Sequence, residues 1–432
     1  MKFFSLNRNS ALVNFKQATI AGQAPDKGLY FPESIPQFDK DFINEIENYA
    51  NGEIAYHIIK PYIDDCIPAE DLKRICEETV NFDIPLVSVT ESISSLELFH
   101  GPTLAFKDVG ARFMSRCLGY FAKERKEKVI VLVATSGDTG SAVANGFYDI
   151  DGIDVVILYP SGKVSAVQEK QLTTLGKNIH TLEVNGNFDD CQRMVKAAFG
   201  DEGLNNKLFL TSANSINIAR WLPQQFYYFF AWKQWMDKSQ PPVVCVPCGN
   251  FGNICAGMLA WRSGLPVKHF IAACNSNDTV PRYLNSKEYQ PHEAVATISN
   301  AMDVADPSNF VRMTELFNND DSSLKNLVTA SSLNDDETRS TLERVNEQYN
   351  YLCDPHGAVA FDALEKYLQG HSGDKGYFLE TAHPVKFFDV VEPIIGSTIP
   401  VPSSVKEQVS KEKLATKIDA NESDLHEFLL AL

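Results

Sequence analysis

From about Lys128 onward, short apolar runs alternate with Gly/Ser/Asn-rich loops and with stretches whose apolar residues recur at helical spacing. The runs are Val129–Val133, Val155–Tyr159, Lys207–Thr211, Val243–Val246, His269–Ala273 and Tyr377–Thr381. Between them, Val167–Leu175, Cys191–Phe199 and Ile254–Trp261 carry the helical period. Strands that are apolar nearly throughout, each followed by a loop and a helix, predict parallel sheet covered on both faces. The expected fold class is α/β, with two lobes built on mostly parallel sheets flanked by helices. In such sheets ligands bind beyond the carboxyl ends of the strands, where the Gly-rich loops sit.

The first 90 residues break this rhythm with Pro25, Pro32, Pro36, Pro61, Pro68 and Pro85, and with an acidic helical patch near Asp41–Tyr49. They read as an N-terminal lobe covering part of the site. The expected organisation is a lobe over 1–90, two sheet lobes over 91–240 and 241–402, and a charged, helix-prone tail over 403–432. Asn285–Asp336, rich in Asn, Asp and Ser, reads as a mobile connection or insertion. There is no internal repeat and no low-complexity tract.

Composition limits the partners. The chain has 432 residues, 44% of them apolar, which is ordinary globular usage and enough for more than one lobe. Lys and Arg number 39 against 56 Asp and Glu, a formal charge of −17. The densest basic cluster, Lys123–Lys128, is interrupted by Glu124 and Glu127. A phosphate-rich polymer is repelled overall, so neither nucleic acid nor an anionic membrane is an expected partner. A small anionic ligand remains compatible, because a pocket needs only a few local cations and amides. The N-terminus becomes polar too early for a signal peptide, and runs such as Val129–Ala134 are far too short to span a bilayer. A soluble, cytoplasmic protein is expected. Of nine cysteines, Cys245 and Cys248 form a CxxC without a second ligand pair or a thioredoxin-like setting. They read as buried thiols, and no metal is expected.

Candidate chemistry begins at Lys107. Val109, Phe113, Met114, Cys117, Leu118 and Phe121 recur at helical spacing, so a helix starts near Lys107. Phe99, Leu104 and Phe106 make the approach apolar. Burial and the positive end of a helix dipole both favour a neutral amine, the form that attacks an aldehyde. A lysine in a first helical turn is usually a surface residue; the apolar run leading into this one is what sets it apart.

Three strand-to-helix loops can hold anions. In Ala134–Ser141, Gly137 and Gly140 permit tight turns, while Thr135, Ser136, Thr139 and Ser141 supply hydroxyls. In Pro247–Asn253, Gly249, Asn250, Gly252 and Asn253 suit a nest of amide donors for a phosphate. This loop lacks the lysine of a Walker A motif and the spacing of a dinucleotide fingerprint, so neither ATP nor NAD is expected. In Thr211–Arg220, Ser212, Asn214, Asn217 and Arg220 combine neutral donors with one fork-shaped cation before an aromatic-rich helix, Trp221–Trp235. Lys163 is a second candidate cation after a strand. A lysine at a helix start, a hydroxyl loop for a substrate carboxylate and an amide nest for an ester phosphate are the parts of a pyridoxal-phosphate site.

Five segments, in order, carry a resemblance: Glu97–Asp108 (ELFHGPTLAFKD), Ala134–Ala142 (ATSGDTGSA), Ser212–Arg220 (SANSINIAR), Pro247–Asn253 (PCGNFGN) and Thr381–Phe387 (TAHPVKF). From about Asp26 to Phe387 the chain resembles the threonine synthase family of bacterial and fungal type, within the tryptophan-synthase-β-like, fold type II pyridoxal-phosphate enzymes. The resemblance implies that Lys107 carries pyridoxal 5'-phosphate as a Schiff base and relays protons. Phe106, Asp138, Gly249, Asn250, Phe251, Gly252, Asn253 and Thr381 are implied around the cofactor, Thr381 as a neutral hydroxyl beside the pyridine nitrogen. The implied substrate is O-phospho-L-homoserine, held by Thr135, Ser136, Thr139, Gly140, Lys163, Ser212, Asn214, Asn217 and Arg220, with L-threonine and phosphate as products. A monomer is implied. Departures are Asp138, where many relatives place Asn, Thr211 in place of an expected Asn, and a single Gly in Asp26–Tyr30. The competing expectations are a serine/threonine dehydratase or related lyase on the same scaffold, and a silent relative that only binds a phosphorylated metabolite. Retention of Lys107 counts against the silent one.

Overall fold

The computed structural model describes residues 1–123, 128–135 and 137–432. Among them are thirteen strands: β1 Phe3–Ser5, β2 Tyr30–Pro32, β3 Leu86–Ser88, β4 Ile93–Glu97, β5 Val129–Ala134, β6 Ile153–Pro160, β7 Ile179–Asn185, β8 Phe209–Thr211, β9 Val243–Pro247, β10 His269–Cys274, β11 Val328–Ser332, β12 Gly376–Glu380 and β13 Thr416–Asp419. Two sheets dominate. One is wholly parallel in the order β13-β7-β6-β5-β8; the other, β11-β10-β9-β12-β4-β3, is parallel except for β3 against β4. All eight residues of β6 and all five of β9 are buried, as strands covered by helices on both faces must be.

Each sheet contains a point where the chain reverses its direction of growth. From β5 the chain moves outward to β6 and β7, then places β8 on the other side of β5. From β9 it moves outward to β10 and β11, then places β12 on the other side of β9. Loops leaving the paired strands at such points diverge and open a crevice. The four loops are those after Ala134, Thr211, Pro247 and Glu380, which are four of the sequence segments with candidate chemistry. The fifth follows β4, beside β12.

Three expectations about organisation are corrected. The two sheets are interleaved along the chain rather than consecutive, because β3 and β4 lie on β12 and not with the strands of 129–211. Residues 403–432 are not a tail: β13 pairs with β7, and Leu425 and Leu429 of the helix Glu422–Leu430 are buried with Leu182 and Met194. Each such leucine contributes about 2 kcal/mol by burial. The segment 285–336 is more than a connection: from residue 300 it holds the helices Phe310–Leu316 and Asp321–Leu327, which lead into β11. Its buried Arg312 donates to Asn309 Oδ1 (2.8 Å), Tyr30 O (3.0 Å) and Ile216 O (2.7 Å), joining the N-terminal lobe to the loop after β8.

The N-terminal helix Phe15–Ala21 rests on that same loop, its Ile20 carbonyl accepting from Thr211 Oγ1 at 2.9 Å. Cys245 and Cys248 are buried, and burial pushes both thiols well above their ordinary range, as for inert core cysteines. Among the described residues no helix is long and apolar enough to cross a membrane, and no cluster of His, Cys, Asp or Glu is arranged to hold a metal.

Candidate active site

The helix Lys107–Ala122 starts at Lys107. The peptide before it is strapped to the chain leaving β12: Phe106 N donates to Thr381 O (2.9 Å), His383 N to Leu104 O (3.0 Å), and Ala105 bridges to Ala382. Leu104 sits at φ +58°, a left-handed conformation rare for a branched side chain, held by its amide on Gly101 O. Asp108 accepts from Thr103 N (2.9 Å) and Thr103 Oγ1 (2.6 Å), and the Tyr227 hydroxyl donates to Phe106 O. His100 keeps a structural job, its Nε2 lying 2.7 Å from Glu97 Oε2. Burial lowers the pKa of the Lys107 amine; the Asp138 carboxylate opposes this, and the charges of Lys386 and Arg220 add to it. The Phe106 ring centroid lies 5.6 Å from Nζ. The amine is therefore biased toward its nucleophilic, neutral form.

Opposite it, Gly137 (φ +147°) leads into the helix Asp138–Phe147. Asp138 Oδ1 accepts from Gln168 Nε2 (3.0 Å) and pairs with Lys386 Nζ (2.7 Å). Burial alone raises a carboxyl pKa, yet Lys386, Lys107 and these hydrogen bonds outweigh it and hold Asp138 well below the usual range. The Thr135 hydroxyl accepts from Gly137 N (3.0 Å) and Gly140 N (2.9 Å), so it shapes the loop. Thr139 is half-buried in the first turn. At Gly140 an added Cβ lies 2.4 Å from Thr135 Cγ2, which explains the glycine. Ser136 lies outside the described residues.

The loop after β9 meets the requirements of a phosphate cradle. A Cβ on Gly249 lies 2.8 Å from Met302 Cα, so only glycine allows the two backbones to approach. Phe251 adopts φ +59° before the helix Gly252–Arg262, whose first amides lack intrahelical acceptors. Asn250 is a tie: its Nδ2 donates to Ser215 Oγ (2.9 Å), its Oδ1 accepts from Ser308 N (2.6 Å), and its carbonyl accepts from Asn309 Nδ2 (3.0 Å). Asn253 Oδ1 accepts from the Tyr228 hydroxyl (2.8 Å), while its buried Nδ2 has no partner among the described residues. A buried amide donor left unpaired costs about 1–3 kcal/mol. A donor of this kind at a helix start with a glycine-tight loop fits the ester phosphate of pyridoxal phosphate. Thr381, just after β12, is buried.

The loop after β8 divides the expected substrate residues. Asn217 is consumed structurally, accepting from Ala219 N (2.9 Å) and donating to Thr19 O (2.9 Å). Ser212 Oγ accepts from Asn214 N (3.3 Å), and Asn214 Oδ1 accepts from Ser215 N (2.6 Å). Arg220 is buried; its Nη1 donates to Ala213 O (2.6 Å), its Nε has no partner among the described residues, and burial lowers its pKa to about 10. Lys163 is exposed in the turn after β6 and makes no ion pair among the described residues. Sequence reasoning missed Gln168, Tyr227 and Lys386. Lys386 lies inside the Thr381–Phe387 segment, but nothing in a sequence reveals that its partner is Asp138.

Fold and site together define the class: a pyridoxal-phosphate-dependent enzyme of fold type II. The family model described as pyridoxal-phosphate dependent enzyme matches residues 95–379, and models for the threonine synthase N terminus and C-terminal region match 2–80 and 357–429. The chain is similar to threonine synthase of Serratia marcescens, with 44% identity over 100% of both chains. It superposes on the crystal structure of threonine synthase from Escherichia coli with a TM-score of 0.92 and 43% identity over 100% of both chains. On PLP-bound threonine synthase from Brucella melitensis the TM-score is 0.93 at 34% identity, covering 99% of this chain and 98% of that one. Tomato threonine deaminase, at 13% identity and a TM-score of 0.58 over 85% of this chain and 99% of that one, shares the fold alone. The chain belongs to the threonine synthase family. It is a lyase whose cofactor is pyridoxal phosphate.

Proposed function

We propose that the site converts O-phospho-L-homoserine and water into L-threonine and inorganic phosphate, with Lys107 as the residue that carries the cofactor and moves protons. Bound pyridoxal phosphate supplies the electron sink that makes loss of the Cα and Cβ protons and of the Cγ phosphate accessible. Lys107, biased toward the neutral amine, accepts those protons and returns them as water adds at Cβ. The amides of Gly249–Asn253 and Asn253 Nδ2 hold the cofactor phosphate. Thr381 offers a neutral hydroxyl to the ring nitrogen, Phe106 lines the site beside Lys107, and Asp138 faces the ring oxygen as a carboxylate. Thr139 and the amides near Gly140 hold the substrate carboxylate, with Thr135 fixing their loop. Arg220, Lys163, Ser212 and Asn214 hold the substrate phosphate, and Asn217 supports their loop from behind. The chain acts as a cytoplasmic monomer.

The observation that carries this reading is Arg220: a buried guanidinium with an unpartnered Nε, behind the loop after β8 and within electrostatic reach of Lys107. A dehydratase acting on unphosphorylated serine or threonine has no use for that cation. The test is product analysis with three substrates. Phosphohomoserine is expected to give threonine and phosphate in equal amounts, with little 2-keto acid from serine or threonine. Abundant keto acid from serine, with no phosphate release from phosphohomoserine, contradicts the proposal.

A further inference from the structure

The Lys107 environment contains one full charge that the proposed reaction leaves idle. Lys386 is completely buried, on the turn Pro384–Phe387 that follows β12. Its Nζ meets two groups from different parts of the chain: Asp138 Oδ1 at 2.7 Å, and Thr103 O at 2.8 Å. Thr103 is the residue whose amide and hydroxyl hold Asp108, next to Lys107, and its carbonyl also accepts from Gln171 Nε2 (3.2 Å). One ammonium thus ties the approach to Lys107 to the start of the helix that carries Asp138.

We propose that Lys386 is a positioning residue for the reaction, whose buried ammonium offsets the charge of the Asp138 carboxylate it pairs with and so keeps that carboxylate from stabilising a protonated Lys107 nitrogen. The inference rests on Lys107 carrying the cofactor. Its basis is the sum of nearby charges. Lys107 faces Asp138 from the helix 138–147, Lys386 from the turn after β12, Arg220 from the helix Ile218–Trp221, and Asp354 at the start of the helix Pro355–Gln369. Asp138 and Lys386 cancel. Without Lys386, the Asp138 carboxylate has the Lys107 nitrogen as its nearest cationic partner and stabilises the protonated form, which neither attacks an aldehyde nor accepts a proton. Lys386 also feels Asp108, which burial holds toward its protonated form and which therefore contributes less negative charge. A buried pair is a weak source of stability compared with an apolar replacement, so its retention at this position asks for another role.

The test uses the cofactor-loaded protein and follows the visible absorbance of the bound cofactor against pH, alongside the pH profile of kcat/KM. Lys386→Met is expected to move the absorbance midpoint upward by about one pH unit or more, Asp138→Asn to move it downward, and Lys386→Arg to stay near the parent. The double variant Lys386→Met/Asp138→Asn removes both charges, so its midpoint is expected above that of Asp138→Asn alone. It also keeps the test decisive if Lys386→Met fails to fold. A Lys386→Met midpoint equal to the parent's, or a double variant indistinguishable from Asp138→Asn, overturns the inference and leaves Lys386 a structural clamp. Borohydride reduction and peptide mapping separate the two readings: an adduct on another lysine defeats the assignment of Lys107, whereas an adduct on Lys107 with no shift defeats only this inference.

Discussion

The Phe106 amide donates to the Thr381 carbonyl at 2.9 Å, so the residue before Lys107 and the residue after β12 are one bonded unit. The bridge Ala105–Ala382 and the bond from His383 N to Leu104 O extend it on both sides. A hydroxyl and an amine borne on this unit keep a fixed separation, which is what a flat ring attached at one edge and hydrogen-bonded at the other requires. Catalytic groups set on short, mutually bonded segments at strand ends lose little precision to loop motion.

Gly249→Ala places a methyl 2.8 Å from Met302 Cα, where backbone cannot yield cheaply. We expect the affinity for pyridoxal phosphate to fall at least roughly tenfold while the far-ultraviolet circular dichroism is unchanged. Gly200→Ala, with nothing within 4 Å of the new methyl, is the control and should bind as the parent does. Titration of the cofactor by absorbance measures both.

Arg312→Ala removes three hydrogen bonds that join residues 30, 216 and 309, together with a guanidinium 4.3 Å from the Trp221 ring centroid. The buried acceptors it leaves make a loss of about 3 kcal/mol or more the expected result, read as a lower urea midpoint. Because the loop after β8 loses its support, KM for phosphohomoserine should rise as well.

Acid should weaken the fold before the carboxylates protonate. Burial, reinforced by His100, lowers His383 to about 4; burial, reinforced by His371, lowers His269 to about 4. In the unfolded chain both rings titrate near 6.5. Between these values the unfolded state binds protons that the folded state does not. Stability is therefore expected to decline as the pH falls from about 6.5 toward 4, by up to about 1.4 kcal/mol per pH unit for each ring. Asp138 acts in the same sense at lower pH: its depressed folded value stabilises the protein above the unfolded carboxylate range, and that effect is lost as the pH falls below it. Urea midpoints at several pH values test the window, and His269→Gln should flatten the slope.

Removing residues 403–432 uncovers the β7 edge and the core around Leu182 and Met194, and deletes Lys413, which pairs with Glu169 (2.6 Å) and Glu183 (2.8 Å). Such a truncation should aggregate or lose several kcal/mol, at about 2 kcal/mol for each buried leucine lost. A truncated chain that melts cooperatively at the parental temperature contradicts this.

The sequence pattern revealed the central strands because burial on both faces leaves no room for polar residues: Val129–Val133 became Val129–Ala134, and His269–Ala273 became His269–Cys274. β7 escaped notice because its Ile-His-Thr-Leu-Glu-Val-Asn mixes polar groups into a buried strand, with Glu183 satisfied by Lys413 from far along the chain. β13 escaped because an edge strand with exposed Thr, Lys and Asp looks like a polar turn. The aromatic run expected as a continuous helix from Trp221 to Trp235 is interrupted by a 3-10 turn at Leu222–Gln224, where Pro223 sits. In the candidate site, the placement of the loops at strand ends and of Lys107 at a helix start was legible from glycine, hydroxyl and apolar context. The occupation of Thr135 and Asn217 by their own loops, and the pairing of Asp138 with Lys386, depend on three-dimensional neighbours that no local spacing encodes.

Whether Lys107 carries the cofactor is settled by reducing the cofactor-loaded protein with borohydride and locating the phosphopyridoxyl group by peptide mass spectrometry. A single modified peptide is expected, with the adduct on Lys107, and the Lys107→Ala variant should be colourless. An adduct on a different lysine in the parent, or the same yellow, reducible adduct in Lys107→Ala, contradicts this assignment.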